Sequence, residues 1–150
     1  MIVQMKKILF FAFALVASAM VFTACEKNNA NALVGTWSRD TQKDASGYYE
    51  TMTLIFNNDN GFVFQGQQHY PQNPDAIAIM ILEGKYEING DIATVHYQKH
   101  GWNHGEGAEY IPDWEGYDEK IKFSIDGKKL TIIRNYGEEY QNDPEVYTKQ

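Results

Sequence analysis

Three segments rich in Asn, Asp and Gly cut much of the chain into paired runs, and they constrain its fold more than any other feature. Asn57-Asn58-Asp59-Asn60-Gly61 separates residues 51–56 from 62–65, Asn89-Gly90-Asp91 separates 85–88 from 92–98, and Asp126-Gly127-Lys128 separates 120–125 from 129–134. Asn-Gly and Asp-Gly between alternating runs mark tight hairpins, because both central residues of a type I′ turn need positive φ. The runs themselves alternate. Met52, Leu54 and Phe56 share one face, as do Phe62 and Phe64, Tyr86 and Ile88, and Ile121, Phe123 and Ile125. Successive side chains on a strand point to opposite faces, so each set can enter one core while Thr, Lys and Glu meet water.

Ten Tyr, eight Phe and three Trp, many of them in these short runs, add β-propensity. No segment shows a convincing amphipathic helix. The stretch 76–82 (AIAIMIL) is short and Ile-rich, which favours a strand running on into Tyr86. The expected fold is all-β, with about eight strands near 35–40, 48–56, 61–66, 77–88, 91–98, 118–126, 128–135 and 144–149. Sequential hairpins in this number predict an antiparallel up-and-down barrel, whose closure removes exposed sheet edges.

The first residues are of another kind. Lys6 and Lys7 precede an apolar run from Ile8 to Phe22, which is followed by Thr23, Ala24 and Cys25. Charge, a short apolar core and small residues at a cut are the parts of an export signal. The run is short of the ~20 residues a spanning helix needs. Met5 is a better start for such a signal than Met1. Cys25 is the sole cysteine, so no internal disulfide can form. The segment resembles a bacterial lipoprotein signal peptide with its lipobox, with Phe22 where Leu is usual. The resemblance implies cleavage before Cys25, a thioether-linked diacylglycerol on that residue and an N-acyl chain. Two or more acyl chains make stable anchoring. The expected division is a signal peptide at 1–24, a lipidated tether at 25–32 and a barrel domain at 33–150. The expected location is the cell envelope, anchored to the outer membrane, with its face left open.

Loss of Lys6 and Lys7 leaves eleven Lys and Arg against twenty Asp and Glu. Such a surface repels phosphates, which argues against a nucleic-acid partner. It also repels anionic headgroups, so the lipid and not a basic patch would hold the domain to the membrane.

Within the domain, Leu33-Val34-Gly35-Thr36-Trp37 opens the first strand. The run 54–64 (LIFNNDNGFVF), then Gly84-Lys85-Tyr86-Glu87-Ile88, then Asp126-Gly127-Lys128-Lys129-Leu130, follow in order. Together they resemble the lipocalin-like domains of small Bacteroidetes lipoproteins, over most of residues 33–149. The resemblance implies a lipocalin-like barrel in which Trp37 packs to close one end. It implies fold and location more than activity.

Candidate sites follow two lines. Eight-stranded barrels hold one small ligand or are filled by their own side chains. The inward Phe56, Phe64 and Tyr86, with Phe62 and Phe123, either line an apolar pocket or fill it. The second line is the stretch 96–117 (HYQKHGWNHGEGAEYIPDWEGY), whose glycines and proline read as a long loop between the fifth and sixth strands. Long loops in compact domains are often functional. Trp102, Tyr110 and Trp114 offer flat faces for a ligand or glycan, or fold onto the barrel mouth as a lid. His100 and His104 are candidate metal ligands if the loop gathers them with a carboxylate; the plainer reading leaves them solvated.

Catalytic signatures are lacking. Ser38, Ser46 and Ser124 sit in no nucleophile elbow, no phosphate-binding glycine loop is present, and Cys25 is consumed by lipid. The expectation is a non-enzyme without cofactor, binding a small apolar or amphipathic molecule in the barrel mouth. Its rival is an interaction module with a filled barrel, presenting the acidic, aromatic 100–117 segment to a protein or glycan.

Overall fold

In the computed structural model of the protein, residues 30–150 are described. The expected signal peptide, Cys25 and the expected tether up to residue 29 lie outside the described residues. Nine strands form one antiparallel sheet: β1 (Gly35–Asp40), β2 (Tyr49–Phe56), β3 (Gly61–His69), β4 (Ile79–Asn89), β5 (Ile92–Asn103), β6 (Ala108–Tyr110), β7 (Tyr117–Asp126), β8 (Lys129–Ile133) and β9 (Glu145–Lys149). Each pairs with its sequence neighbours, except that β6 and β7 do not pair with each other, and β1 pairs with β9, so the sheet closes. Both β6 and β7 pair with β5, β6 at Gly101–Asn103 and β7 at Ile92–Tyr97. They are one wall position interrupted by residues 111–116. The barrel is therefore eight-stranded and up-and-down, consistent with a lipocalin-like fold.

The turns form where the sequence places them. Asn60, Gly90 and Gly127 have φ near +60°, at 62°, 63° and 59°, and Asp59 accepts the Gly61 amide at 2.9 Å. These three hairpins lie at one end of the barrel, the base. A short helical turn at 30–33 caps the base, beside the 57–60 turn and the end of β4. Residues 30–32 fall in the stretch read as tether, and no helix was expected there. Tertiary contact makes the difference. Leu33 is fully buried, and its carbonyl accepts the indole N–H of the equally buried Trp37 at 2.8 Å.

The core fills the lower barrel. Phe56 lies 4.9 Å from Phe62 and 5.2 Å from Tyr86, ring centre to ring centre, and Phe62 lies 5.8 Å from Tyr97. Leu54, Ile121, Leu130, Ile132 and Tyr147 close the gaps between them. Each of these side chains holds the inward position that strand alternation assigns it.

The wall departs from simple alternation once. Leu82 pairs with His100 and Glu83 with Lys99, but Gly84 pairs with Tyr97, so Gln98 is an extra residue in β5. This is a β-bulge. Gly84 permits it: a Cβ there would lie 2.0 Å from the His96 carbonyl oxygen. The extra residue flips the parity of β5. Ala93, Val95 and Tyr97 point inward below it, and His100 and Trp102 point inward above it. The long loop expected at 96–117 is corrected accordingly. β5 continues to Asn103 and pairs with β6, leaving 104–107 as a hairpin and 111–116 as an excursion from the wall.

Candidate functional site: the barrel mouth

Inward-facing side chains change character along the barrel axis. Phe56, Phe62, Phe64, Leu82, Tyr86 and Tyr97 are buried and form a solid lower lumen. Above them, Arg39, Met52, Met80, His100 and Trp102 hold inward positions yet are partly exposed, and Tyr117 is 47% exposed. The partial exposure of these inward residues marks the mouth, or cup, as less sealed than the core beneath it. Its floor is Phe64, Gly66 and Leu82. A Cβ on Gly66 would touch Met52 Sδ at 3.6 Å and Met80 Cε at 3.8 Å, so the two thioether chains converge over that glycine.

Two arginines enter the cup, each held by a carboxylate. Arg134 reaches Glu119 through Nε at 2.9 Å and through its terminal nitrogen at 2.8 Å, and its guanidinium lies over the Phe64 ring. Tyr97 donates to the same carboxylate at 2.7 Å. Glu119 is 4% exposed, so this charge is tolerated because both of its oxygens are bonded. Burial pushes the Tyr97 hydroxyl well above the ordinary phenol range, and the Glu119 charge adds to the effect. On Arg134, burial works against the charge, but the bond to Glu119 together with the fields of Tyr97, Glu119 and Tyr147 outweighs it and raises its pKa. Arg39 pairs with Glu145 at 3.1 Å and lies over the Tyr147 ring. Burial raises the Tyr147 hydroxyl to about 12, with Arg39 and Glu145 acting in opposite directions.

Two polar atoms in the cup are sealed from solvent and have no hydrogen-bond partner among the described residues: Nε of Arg39 and Nε2 of His100. Buried polar atoms are nearly always paired. β1 and β5 stand opposite each other in the eight-membered ring, so Arg39 and His100 extend from opposite walls.

Along the β5–β7 side, aromatic rings line the rim. Tyr117 meets Trp114 at 5.9 Å, Trp114 meets His100 at 5.6 Å, His100 meets Trp102 at 6.5 Å, and Trp102 stacks parallel to His104 at 6.1 Å. Trp114, carried on the 111–116 excursion, packs against the core. The structure therefore separates the residues singled out from the sequence. Trp102 and Trp114 meet at the cup, and Phe64 forms its floor. Phe56 and Tyr86 lie far below in the filled base, and the Tyr86 hydroxyl donates to the Asn57 carbonyl at 3.0 Å. Tyr110 stands on the outer wall, donating to Glu83 under the Lys99 ammonium. His100 and His104 are held apart by Trp102, and His104 contacts the Ile77 carbonyl at 3.3 Å. Among the described residues, no three His, Cys, Asp or Glu side chains gather as a metal site.

Sequence reasoning missed Arg39, Met52, Met80, Glu119 and Arg134. Parity marks Met52, and Met80 lies in a run that gave no clear face. The charged residues gave no signal, since an arginine or glutamate in an alternating run reads as solvated. Neither the protein-family models nor the curated proteins contain a match to this chain.

Proposed function

We propose that this protein is a lipid-anchored envelope component that holds a small amphipathic molecule in the cup at the barrel mouth, without catalysis. The partial exposure of inward-facing Met52, Met80, His100, Trp102 and Tyr117, above a sealed aromatic base, carries this reading. The apolar part of such a ligand has Met and Trp surfaces to cover, and methionine side chains adapt to irregular shapes. Its polar part would pair with Nε of Arg39 and Nε2 of His100, both sealed and unpartnered, by displacing the side chains that cover them. A site with a few placed polar groups in an apolar concavity is what small-molecule pockets share. Anchoring rests on the signal-like residues 6–24 and Cys25.

Native mass spectrometry of the protein purified from its source envelope tests this. A co-purifying small molecule is expected, lost in Gly66→Phe, which grows from the floor into the cup, and weakened in Trp102→Ala. A bare mass that persists under gentle ionisation would sink the carrier reading. The interaction module would then take its place. Tyr110, 38% exposed on the outer wall, and the neighbouring Ile111, 46% exposed at the start of the excursion, favour that second reading as a contact surface for a protein or glycan.

A further inference from the structure

The position of the chain's entry and the charge of the two barrel ends fix a direction. We infer that the barrel stands with its closed base toward the lipid headgroups and its cup toward the aqueous phase. The inference rests on the lipid-anchored reading above and adds the surface that meets the bilayer.

The chain enters at the base. Ala30, Asn31 and Val34 share a cleft of about 360 Å³ with Asn58, Asn60 and Tyr86, at the β2–β3 turn and the end of β4. Leu33 and Trp37 pin this entry, so it does not swing around the barrel. Between Cys25 and residue 30 the chain advances five steps, a reach of roughly 18 Å when fully extended. The barrel is taller than that. Strand β5 has 12 residues, and at ~3.3 Å each with a ~40° tilt they span about 30 Å along the axis. A lipid on Cys25 thus brings the base to the membrane and leaves the mouth beyond the reach of the headgroups.

Charge points the same way, independently of the tether. The four mouth-end segments 41–48, 70–78, 104–116 (which includes β6) and 134–144 carry nine Asp and Glu against Lys43 and Arg134. Arg134 is already paired with Glu119. At the base, Lys85 pairs with Asp59 at 3.8 Å and Lys122 with Asp91 at 3.6 Å, and Lys128, Lys129 and Lys149 at this end outnumber the remaining acidic residues, Asp126 and Glu87. An anionic bilayer surface repels the mouth and tolerates the base. The consequence is functional: a ligand enters the cup through water rather than sideways out of the bilayer.

The test uses the full-length, acylated protein with one added cysteine for a fluorescent label, either Asn58→Cys at the base or Gln72→Cys in a mouth loop. Vesicles are three parts phosphatidylcholine to one part phosphatidylglycerol, with a nitroxide on a fraction of the headgroups. Quenching at position 58 is expected to exceed that at position 72 by about threefold or more, because contact quenching reaches only the interface. Equal quenching at both positions, or stronger quenching at 72, overturns the orientation while leaving the anchor intact. The anchor itself is read separately, from the mass of the N-terminal peptide and from flotation with vesicles. A chain without acyl groups that stays with the aqueous fraction overturns the anchored reading and the orientation with it.

Discussion

Glu119 sits at 4% exposure inside the barrel, and its environment makes it the most sensitive single charge in the domain. Both oxygens are engaged, by Arg134 and by Tyr97. Glu119→Ala removes all three bonds and strands a guanidinium that is 16% exposed. Breaking one side of a buried pair costs roughly 3–5 kcal/mol. Replacing both partners by well-packed apolar residues is often neutral. Urea unfolding is therefore expected to show a large loss for Glu119→Ala and recovery of part of it in Glu119→Leu/Arg134→Met, where the buried Tyr97 hydroxyl is still left without its acceptor. If the double variant is as unstable as the single one, the carboxylate matters for reasons other than its partner. Tyrosines set a second expectation. Tyr97 and Tyr147 are raised in the fold, Tyr147 to about 12, in both cases chiefly by burial. A phenol with a raised folded value contributes stability that is fully present below its unfolded value near 10 and is lost as the pH climbs through the folded value. The urea midpoint should hold up to pH 10 and fall between pH 10 and 12. A midpoint that stays flat to pH 12 would rule this out.

At the scale of elements, the hairpins were legible because their chemistry is local. Asn60, Gly90 and Gly127 each take the left-handed conformation that their turns demand, and the alternation of 51–56, 62–65, 85–88 and 120–125 places Leu54, Phe64, Tyr86 and Phe123 on the inner face. The upper half of β5 was not legible, because the bulge at Gln98 breaks the alternation within one strand and its cause lies on another. Gly84, on β4, makes room for it. Glycines in 101–107 then made a strand look like loop. Gly101 is in fact a close approach, where a Cβ would lie 2.4 Å from the Glu109 carbonyl oxygen of β6. The same contrast yields a prediction. Gly84→Ala places a methyl against the His96 carbonyl, and a forced backbone shift of this kind costs on the order of 2–3 kcal/mol. Gly90→Ala meets nothing within 4 Å and bears only its positive φ, about 1–2 kcal/mol. Denaturant midpoints in the order wild type, Gly90→Ala, Gly84→Ala are expected. A reversed order would mean that β4 and β5 can slide in register to absorb the methyl.

Across the whole molecule, the proposed binding places stability and recognition at opposite ends. The base is closed by the 30–33 turn, by Leu33 and Trp37, and by the Phe56–Phe62–Tyr86 cluster beneath the cup. The mouth keeps its inward side chains partly in contact with solvent, which is a poor use of Trp and Met for folding and a suitable one for binding. The candidate site was half legible for this reason: Trp102 and Trp114 stand out in sequence as aromatics in an odd place, whereas the height of a residue along the barrel axis depends on strand stagger. Phe56 and Tyr86 carry the same inward pattern as Phe64 but lie at a different level. The separation can be measured with two variants. Leu33→Ala empties a fully buried position in the cap, and a buried Leu→Ala typically costs roughly 3–5 kcal/mol. For a domain of this size that lowers Tm by roughly 10 °C or more. It should leave the ligand-bound mass in native spectra unchanged at temperatures where the variant is folded. Trp102→Ala should do the reverse, with a small change in Tm and a marked loss of bound ligand. If instead Leu33→Ala empties the cup while the domain remains folded, the base and the mouth are coupled through the aromatic column between them, and Phe62 and Tyr97, which touch in that column at 5.8 Å, are where the coupling would run.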